Sequence, residues 1–274
     1  LSFPEAVFLG ILQGLTEFLP VSSSGHLVIA QGFLPGFEQP GVLFDLVLHG
    51  GTLVAVIFFL RKELSEMLLA LLPLPPGVTA AAGESGRAVH RKMFLLLVAA
   101  TVVTTMTGWP FRDGIASLFE SPTTAAFLLL VTGLLLFFAD RVQNAMRAKK
   151  DLNIFDALII GFAQALALLP GFSRSGATIS FALFRKINGE TAATFSFLLS
   201  IPAVSGAILY EAWNMPALPE GALPVYGAGF FAAMVTGFLS LKMLYLFIRK
   251  HRLRVFSYYC WFVGSLTLMT IALK

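Results

Sequence analysis

Long apolar runs separated by short polar stretches organise this chain. Six of them carry few or no charges and approach the roughly 20 residues that cross a bilayer as helix: 42–60, 93–109, 123–139, 191–210, 226–248 and 255–273. Six transmembrane helices are the expectation. Two further apolar stretches, 3–34 and 155–184, do not fit that count, because proline and a Ser/Gly cluster interrupt each of them halfway. Each reads as helix, break, helix. Segment 155–184 follows a basic loop and ends at Arg185-Lys186, so with both flanks on one side it enters the membrane and returns as a re-entrant hairpin.

The two breaks resemble each other. Gln13-Gly-Leu-Thr-Glu-Phe-Leu-Pro-Val-Ser-Ser-Ser-Gly and Gln164-Ala-Leu-Ala-Leu-Leu-Pro-Gly-Phe-Ser-Arg-Ser-Gly share Gln, Leu, Leu-Pro and Ser-x-Ser-Gly, with a one-residue slip at the proline. They are read as an internal repeat, with repeat 1 over about 1–150 and repeat 2 over about 151–274 of one integral membrane domain. Each half then has one hairpin and three spans. An odd number of crossings inverts the second half relative to the first and places both termini outside. The fold expected is an all-α polytopic membrane protein in which two inverted repeats bring their broken helices together near the midplane.

Composition agrees, at 57% hydrophobic and 12% charged residues and a mean hydropathy of +0.83. So little polar surface does not cover a soluble globule. Net charge is +4, but the distribution of the cations excludes a nucleic-acid surface: loops 61–92, 140–154, 185–190 and 249–254 hold fifteen of the nineteen Lys and Arg. Loop 110–122 has Arg112 alone and loop 211–225 has none. The asymmetry places the four basic loops in the cytoplasm. The first apolar stretch lacks a basic leader, so no cleavable signal peptide is expected. The single cysteine, Cys260, forms no intrachain disulfide and reads as a small packing residue.

Chemistry concentrates at the breaks. After Pro20 and after Pro170-Gly171 a helix restarts with serine, and helix starts attract anions through unpaired N–H groups and the macrodipole. Ser22, Ser23, Ser24, Ser173, Ser175 and Thr178 add hydroxyls, and Arg174 adds a planar fork suited to phosphate oxygens. Glu17 and Arg174 at this depth need partners or a wet cavity. His26 shares a helical face with Ser22 and Ser23 and is a candidate catalyst. Gln13 and Glu17, four apart, share a face on which the carboxylate is open to three roles: holding a divalent cation with the amide, acting as a base, or orienting Arg174. Asp45 and His49 repeat that spacing at the start of the next span, where a structural role is expected.

Gln13-Gly-Leu-Thr-Glu17 with Phe-Leu-Pro-Val-Ser-Ser-Ser-Gly-His26, and Pro170-Gly-Phe-Ser-Arg-Ser-Gly-Ala-Thr178, resemble the two signature motifs of the undecaprenyl-diphosphate phosphatases, the bacitracin-resistance proteins, whose patterns are (E/Q)xxxE and PGxSRSxxT. Phe44-Asp-Leu-Val-Leu-His-Gly-Gly-Thr52 and Ser196-Phe-Leu-Leu-Ser-Ile-Pro202 extend the resemblance over essentially the whole chain. It implies hydrolysis of undecaprenyl diphosphate to the monophosphate carrier of cell-wall assembly, in a bacterial cytoplasmic membrane, with the site open toward the periplasmic side. By position it implies functional roles for Glu17, His26, Ser23, Ser173, Arg174 and Thr178. It also implies a divalent cation, Mg²⁺ with Ca²⁺ as the other candidate, although Gln at position 13 removes one carboxylate from a two-carboxylate site. A polyprenyl diphosphate lipid is the implied partner, and a homodimer is a candidate assembly.

The hydrolytic mechanism expected has Ser23 or a water attacking the terminal phosphorus while Glu17 and His26 manage the proton and Arg174 holds the phosphate. Ser-Gly-His and Ser-Arg are also similar to type-2 phosphatidic acid phosphatases, but that family needs a His soon after its Ser-Arg, and the next one here is His251. The rival class is a transporter or flippase of a polyprenyl phosphate lipid. Carrying lipid uses Arg174 and the helix starts but leaves little use for a base.

Overall fold

The computed structural model describes residues 1–33, 42–73, 80–119, 121–142, 145–214 and 221–273, and these are all-helical. In chain order the helices are α1 (Phe3–Phe18), α2 (Ser23–Phe33), α3 (Val42–Phe59), α4 (Arg61–Leu71), α5 (Ala80–Gly108), α6 (Arg112–Leu118), α7 (Pro122–Ala139), α8 (Ile154–Leu166), α9 (Arg174–Phe184), α10 (Gly189–Asn214), α11 (Leu223–Arg249) and α12 (Arg254–Ala272). All six expected spans are helical. Five are long and apolar enough to cross a membrane, and α3 reaches that standard only together with α4, from which it bends by 72°. Residue 34, at the end of the first broken stretch, and residues 215–220 of loop 211–225 lie outside the described residues.

Part of the stretch after residue 60, expected as loop, is therefore helix. Arg61, Lys62, Glu63 and Glu66 interrupt the apolar pattern there, but α4 buries Met67 and Ala70 and exposes Leu68 and Leu69. Its charged positions and exposed leucines make it amphipathic.

Both broken stretches take the expected form. α1 stops because Leu19, preceding Pro20, is driven into extended backbone. α8 ends before a turn at Gly171, whose φ of +93° suits glycine; a Cβ there would run into the Ala125 carbonyl. The internal echo reaches further back than the sequence comparison alone revealed. Glu5 and Asp156 each close a capping box, with Ser2 and Asn153 as the caps of α1 and α8. Gly10 and Gly161, each three residues before the shared glutamine, let α1 press onto Gly229 of α11 and α8 onto Ala100 of α5. Small residues at such crossings bring backbones close enough for side-chain-to-carbonyl bonds. Ser240 Oγ donates to Gly14 O at 2.8 Å, and Thr104 Oγ1 to Gly161 O at 2.9 Å. The same packing pairs α1 with α11 and α8 with α5, and α7 packs on α12 and α3 on α10.

The four basic loops are stitched into one face. Lys149 pairs with Glu63 at 3.4 Å, Lys92 Nζ donates to Lys150 O at 3.1 Å, Arg249 pairs with Glu190 at 2.7 Å and Arg254 with Asp140 at 3.2 Å. Buried Asp156, at the start of α8, accepts from both Arg147 and Arg185, the latter just past the end of α9. One carboxylate thus holds both ends of the α8–α9 hairpin to the face from which it enters.

Candidate active site

The two breaks meet. Ser175 Oγ, in the first turn of α9, donates to Leu19 O at 3.1 Å. A Cβ on Gly25 would come within 2.8 Å of Gly171 Cα, and Gly176 lies against Pro20. The starts of α2 and α9 consequently abut, which brings together hydroxyls and a guanidinium from segments about 150 residues apart.

Glu17 is the centre of this junction. Ser23 Oγ donates to its Oε2 at 2.6 Å, Gln13 Nε2 to the same oxygen at 2.9 Å, and Arg174 Nη2 to Oε1 at 2.5 Å. Buried carboxylates persist only with this degree of pairing. His49, expected to be structural, also belongs here: its Nδ1 lies 2.9 Å from Gln13 Nε2 and 3.6 Å from Glu17 Oε2. Its neighbour in the motif, Asp45, instead accepts from Gln31 at 3.1 Å. Two buried polar atoms of the cluster, Arg174 Nη1 and Gln13 Oε1, have no partner among the described residues.

Among the described residues His26 makes no hydrogen bond to the Ser23 hydroxyl. Its Nδ1 lies 2.8 Å from Ser22 O, so that nitrogen carries the hydrogen, and in the neutral ring Nε2 accepts from the Tyr259 hydroxyl at 2.9 Å. Ser22 has a left-handed φ of +66°, uncommon for a residue with a side chain. The His26 ring and backbone N–H both grip its carbonyl, and the Ser22 hydroxyl accepts from Gly25 N. His26 thereby fixes the turn that presents Ser23 to Glu17.

The remaining hydroxyls divide. Ser22 and Ser24 lie 3.3 Å apart at the start of α2. Ser173 caps α9 through Gly176 N, and Thr132 of α7 bridges Gly171 O and Ser173 N at 3.0 Å each. Thr178 bonds to Arg174 O and to Ser196, so its hydroxyl is engaged within the protein. Sequence reasoning missed Thr132 and Tyr259. Neither lies in a motif, and only the packing of α7 and α12 against the breaks brings them in.

A resident divalent cation fits this donor set poorly. No three His, Cys, Asp or Glu gather into a ligand cluster among the described residues. Gln13 turns its NH₂, not its carbonyl, toward Glu17, and Arg174 already balances the carboxylate. Outside the spans, hydrogen bonding to Asp156 raises the pKa of the Arg147 guanidinium above its ordinary value.

Apolar helices long enough to span a bilayer, with an ionised cluster at the junction of two broken helices, define a multi-pass membrane protein with a buried polar site. Its relatives are specific. The chain belongs to the family described as bacitracin resistance protein BacA, whose model matches residues 6–266. It is 46% identical to an undecaprenyl-diphosphatase of Syntrophotalea carbinolica over 97% of this chain and 98% of that one. Undecaprenyl-diphosphatases of Alkaliphilus metalliredigens and Methanosphaera stadtmanae are 41% and 38% identical over 97% of this chain, and over 97% and 96% of their own lengths.

Proposed function

We propose that this protein hydrolyses undecaprenyl diphosphate to undecaprenyl phosphate and inorganic phosphate, recycling the lipid carrier for peptidoglycan synthesis and conferring bacitracin resistance. The near full-length similarity to undecaprenyl-diphosphatases supports the substrate. The observation that carries the reaction is the Ser23–Glu17–Arg174 cluster: a hydroxyl, a carboxylate that accepts from it, and a guanidinium with one nitrogen unpartnered.

In the proposed mechanism Arg174 Nη1 takes a terminal phosphate oxygen while Nη2 stays on Glu17. Ser23 Oγ attacks the terminal phosphorus and its proton passes to Glu17 Oε2. The bond from phosphorus to the bridging oxygen breaks, and undecaprenyl phosphate leaves with the proton that Glu17 returns. Water then attacks the phosphoserine as Glu17 accepts its proton, the bond from phosphorus to Ser23 Oγ breaks, Ser23 regains the proton from Glu17, and inorganic phosphate departs. The abutting helix starts and the Ser22, Ser24, Ser173, Ser175 and Thr178 positions surround the anion, some through hydroxyls and others through the backbone they hold. His26 is a positioning residue in this scheme, acting through the Ser22 turn. A divalent cation, Mg²⁺ or Ca²⁺, enters the proposal only as a counter-ion of the diphosphate.

The halves form inverted repeats of a single domain. Support comes from the matching helix contacts and paired capping boxes. The basic face lies in the cytoplasm of a bacterial inner membrane, in line with the loop charges, and the site opens to the periplasm, as the family resemblance suggests. The prenyl chain lies among the apolar helices, and a homodimer is the proposed assembly. Rapid quenching during turnover, followed by mass spectrometry of the peptide containing Ser23, tests the covalent step. Phosphate on Ser23 is expected; its absence alongside rapid turnover transfers the attack to water.

A further inference from the structure

A cavity of about 890 Å³ opens on the basic-loop face, well apart from the catalytic junction. Both touch α3, the junction at His49 and the cavity at Phe59, ten residues or about 15 Å further along the axis. Its lining is amphiphilic. Phe59, Leu60 and Leu246 form an apolar wall opposite four cations, of which Lys149 and Arg249 are paired with Glu63 and Glu190. The other two, Lys150 and Lys242, have no carboxylate partner among the described residues.

Lys242 is the more telling. It lies seven residues, about 10 Å, inside the end of α11, a helix long and apolar enough to span the bilayer. An ammonium at that depth is costly without a counter-charge, and the contact it makes is with the Phe238 ring at 4.7 Å. One cation inside the end of a span and one in the basic loop above it, beside a greasy wall, complement a molecule with an anionic head and an alkyl tail. Water-soluble anions would leave the apolar wall unused.

We infer that this cavity seats the phosphate headgroup of an anionic lipid from the leaflet on the basic-loop side. Lys242 and Lys150 contact the phosphate oxygens, and Phe59, Leu60 and Leu246 cover the first part of the chain. The inference does not depend on the hydrolytic reading, because the cavity shares no residue with the Ser23–Glu17–Arg174 cluster.

The test is native mass spectrometry of the purified full-length protein in detergent, titrated with dioleoyl phosphatidylglycerol, dioleoyl phosphatidylcholine or inorganic phosphate. Wild type should retain the phosphatidylglycerol in preference to the zwitterionic lipid, and millimolar inorganic phosphate should not displace it. Retention should fall about tenfold or more in Lys150→Gln/Lys242→Gln. Leu246→Trp, which narrows the apolar side of the cavity and keeps both charges, should weaken it as well. Phosphate release from the diphosphate substrate should stay within about twofold of wild type in both variants, since neither touches the junction. Unchanged retention in the variants, equal retention of the two lipids, displacement by inorganic phosphate, or collapse of phosphate release in both variants would each overturn the assignment.

Discussion

Ser23 Oγ donates to Glu17 Oε2 at 2.6 Å, the short spacing of a hydroxyl on an ionised carboxylate. This contact crosses the first helix break and selects Glu17, not His26, as the group placed to take the serine proton. Ser23→Ala should lower kcat by about 10³-fold or more with KM changed only a few-fold. Steady-state phosphate release checks this, and a variant keeping a tenth of wild-type turnover would mean that Ser23 is not the nucleophile.

Arg174 holds Glu17 with one nitrogen, its other nitrogen has no partner among the described residues, and the proposed mechanism gives that one to a phosphate oxygen. Lysine keeps the charge but cannot bridge both groups. Arg174→Lys should therefore lose about 10²-fold in kcat/KM. Near-normal kinetics in that variant would show that a point charge suffices.

Tyr259 reaches the site through His26, its hydroxyl 2.9 Å from Nε2 and its ring stacked on the imidazole. Tyr259→Phe should lower kcat about three- to tenfold at unchanged KM, as the His26 ring loses its outer restraint. His26→Ala should do more damage because the Ser22 turn loses its ring contact. Equal effects of the two substitutions would contradict a positioning role exerted through Ser22.

Much of this site was legible in the sequence because its polar residues interrupt apolar runs, where nothing else explains them. Gln13, Glu17, Ser23 and Arg174 were found in that way, and the structure gathers them at one point. His49 was undervalued because its contact with Gln13 spans 36 residues, and an i,i+4 pattern on its own helix says nothing of that partner. The hydroxyls of Ser173, Ser175 and Thr178 looked equally available. Serine and threonine readily satisfy nearby backbone, as Ser173 and Thr178 do here, while Ser175 is taken up by Leu19 O across the junction. The helix α4 was hidden for a different reason: its charged residues break the apolar run, although its length and amphipathic pattern suit a helix.

Gln13→Glu would put a second carboxylate about 3 Å from the first, where two like charges do not both ionise without a cation between them. Phosphate release by this variant should become more sensitive to chelators than that of wild type. An identical EDTA titration for the two proteins would show that position 13 has no bearing on metal use.

Asp156 holds Arg147 and Arg185 at once and is 1% exposed. Asp156→Asn leaves two guanidiniums without their anion and frees the ends of the α8–α9 hairpin. Because both arginines are partly solvated, a cost of about 2–3 kcal/mol is expected, below the full penalty of a buried pair. Thermal unfolding in detergent should show the lower midpoint. An unchanged midpoint would remove the hairpin-anchoring role given to this residue.

The most direct test of the central claim is phosphate release from undecaprenyl diphosphate by the purified protein, wild type against Glu17→Gln, with lipid monophosphate and inorganic phosphate both quantified. The account predicts one inorganic phosphate per lipid monophosphate from wild type, and a loss of about 10³-fold in Glu17→Gln. No phosphate release by wild type, with the intact lipid instead carried across vesicles, would contradict it and identify a transporter.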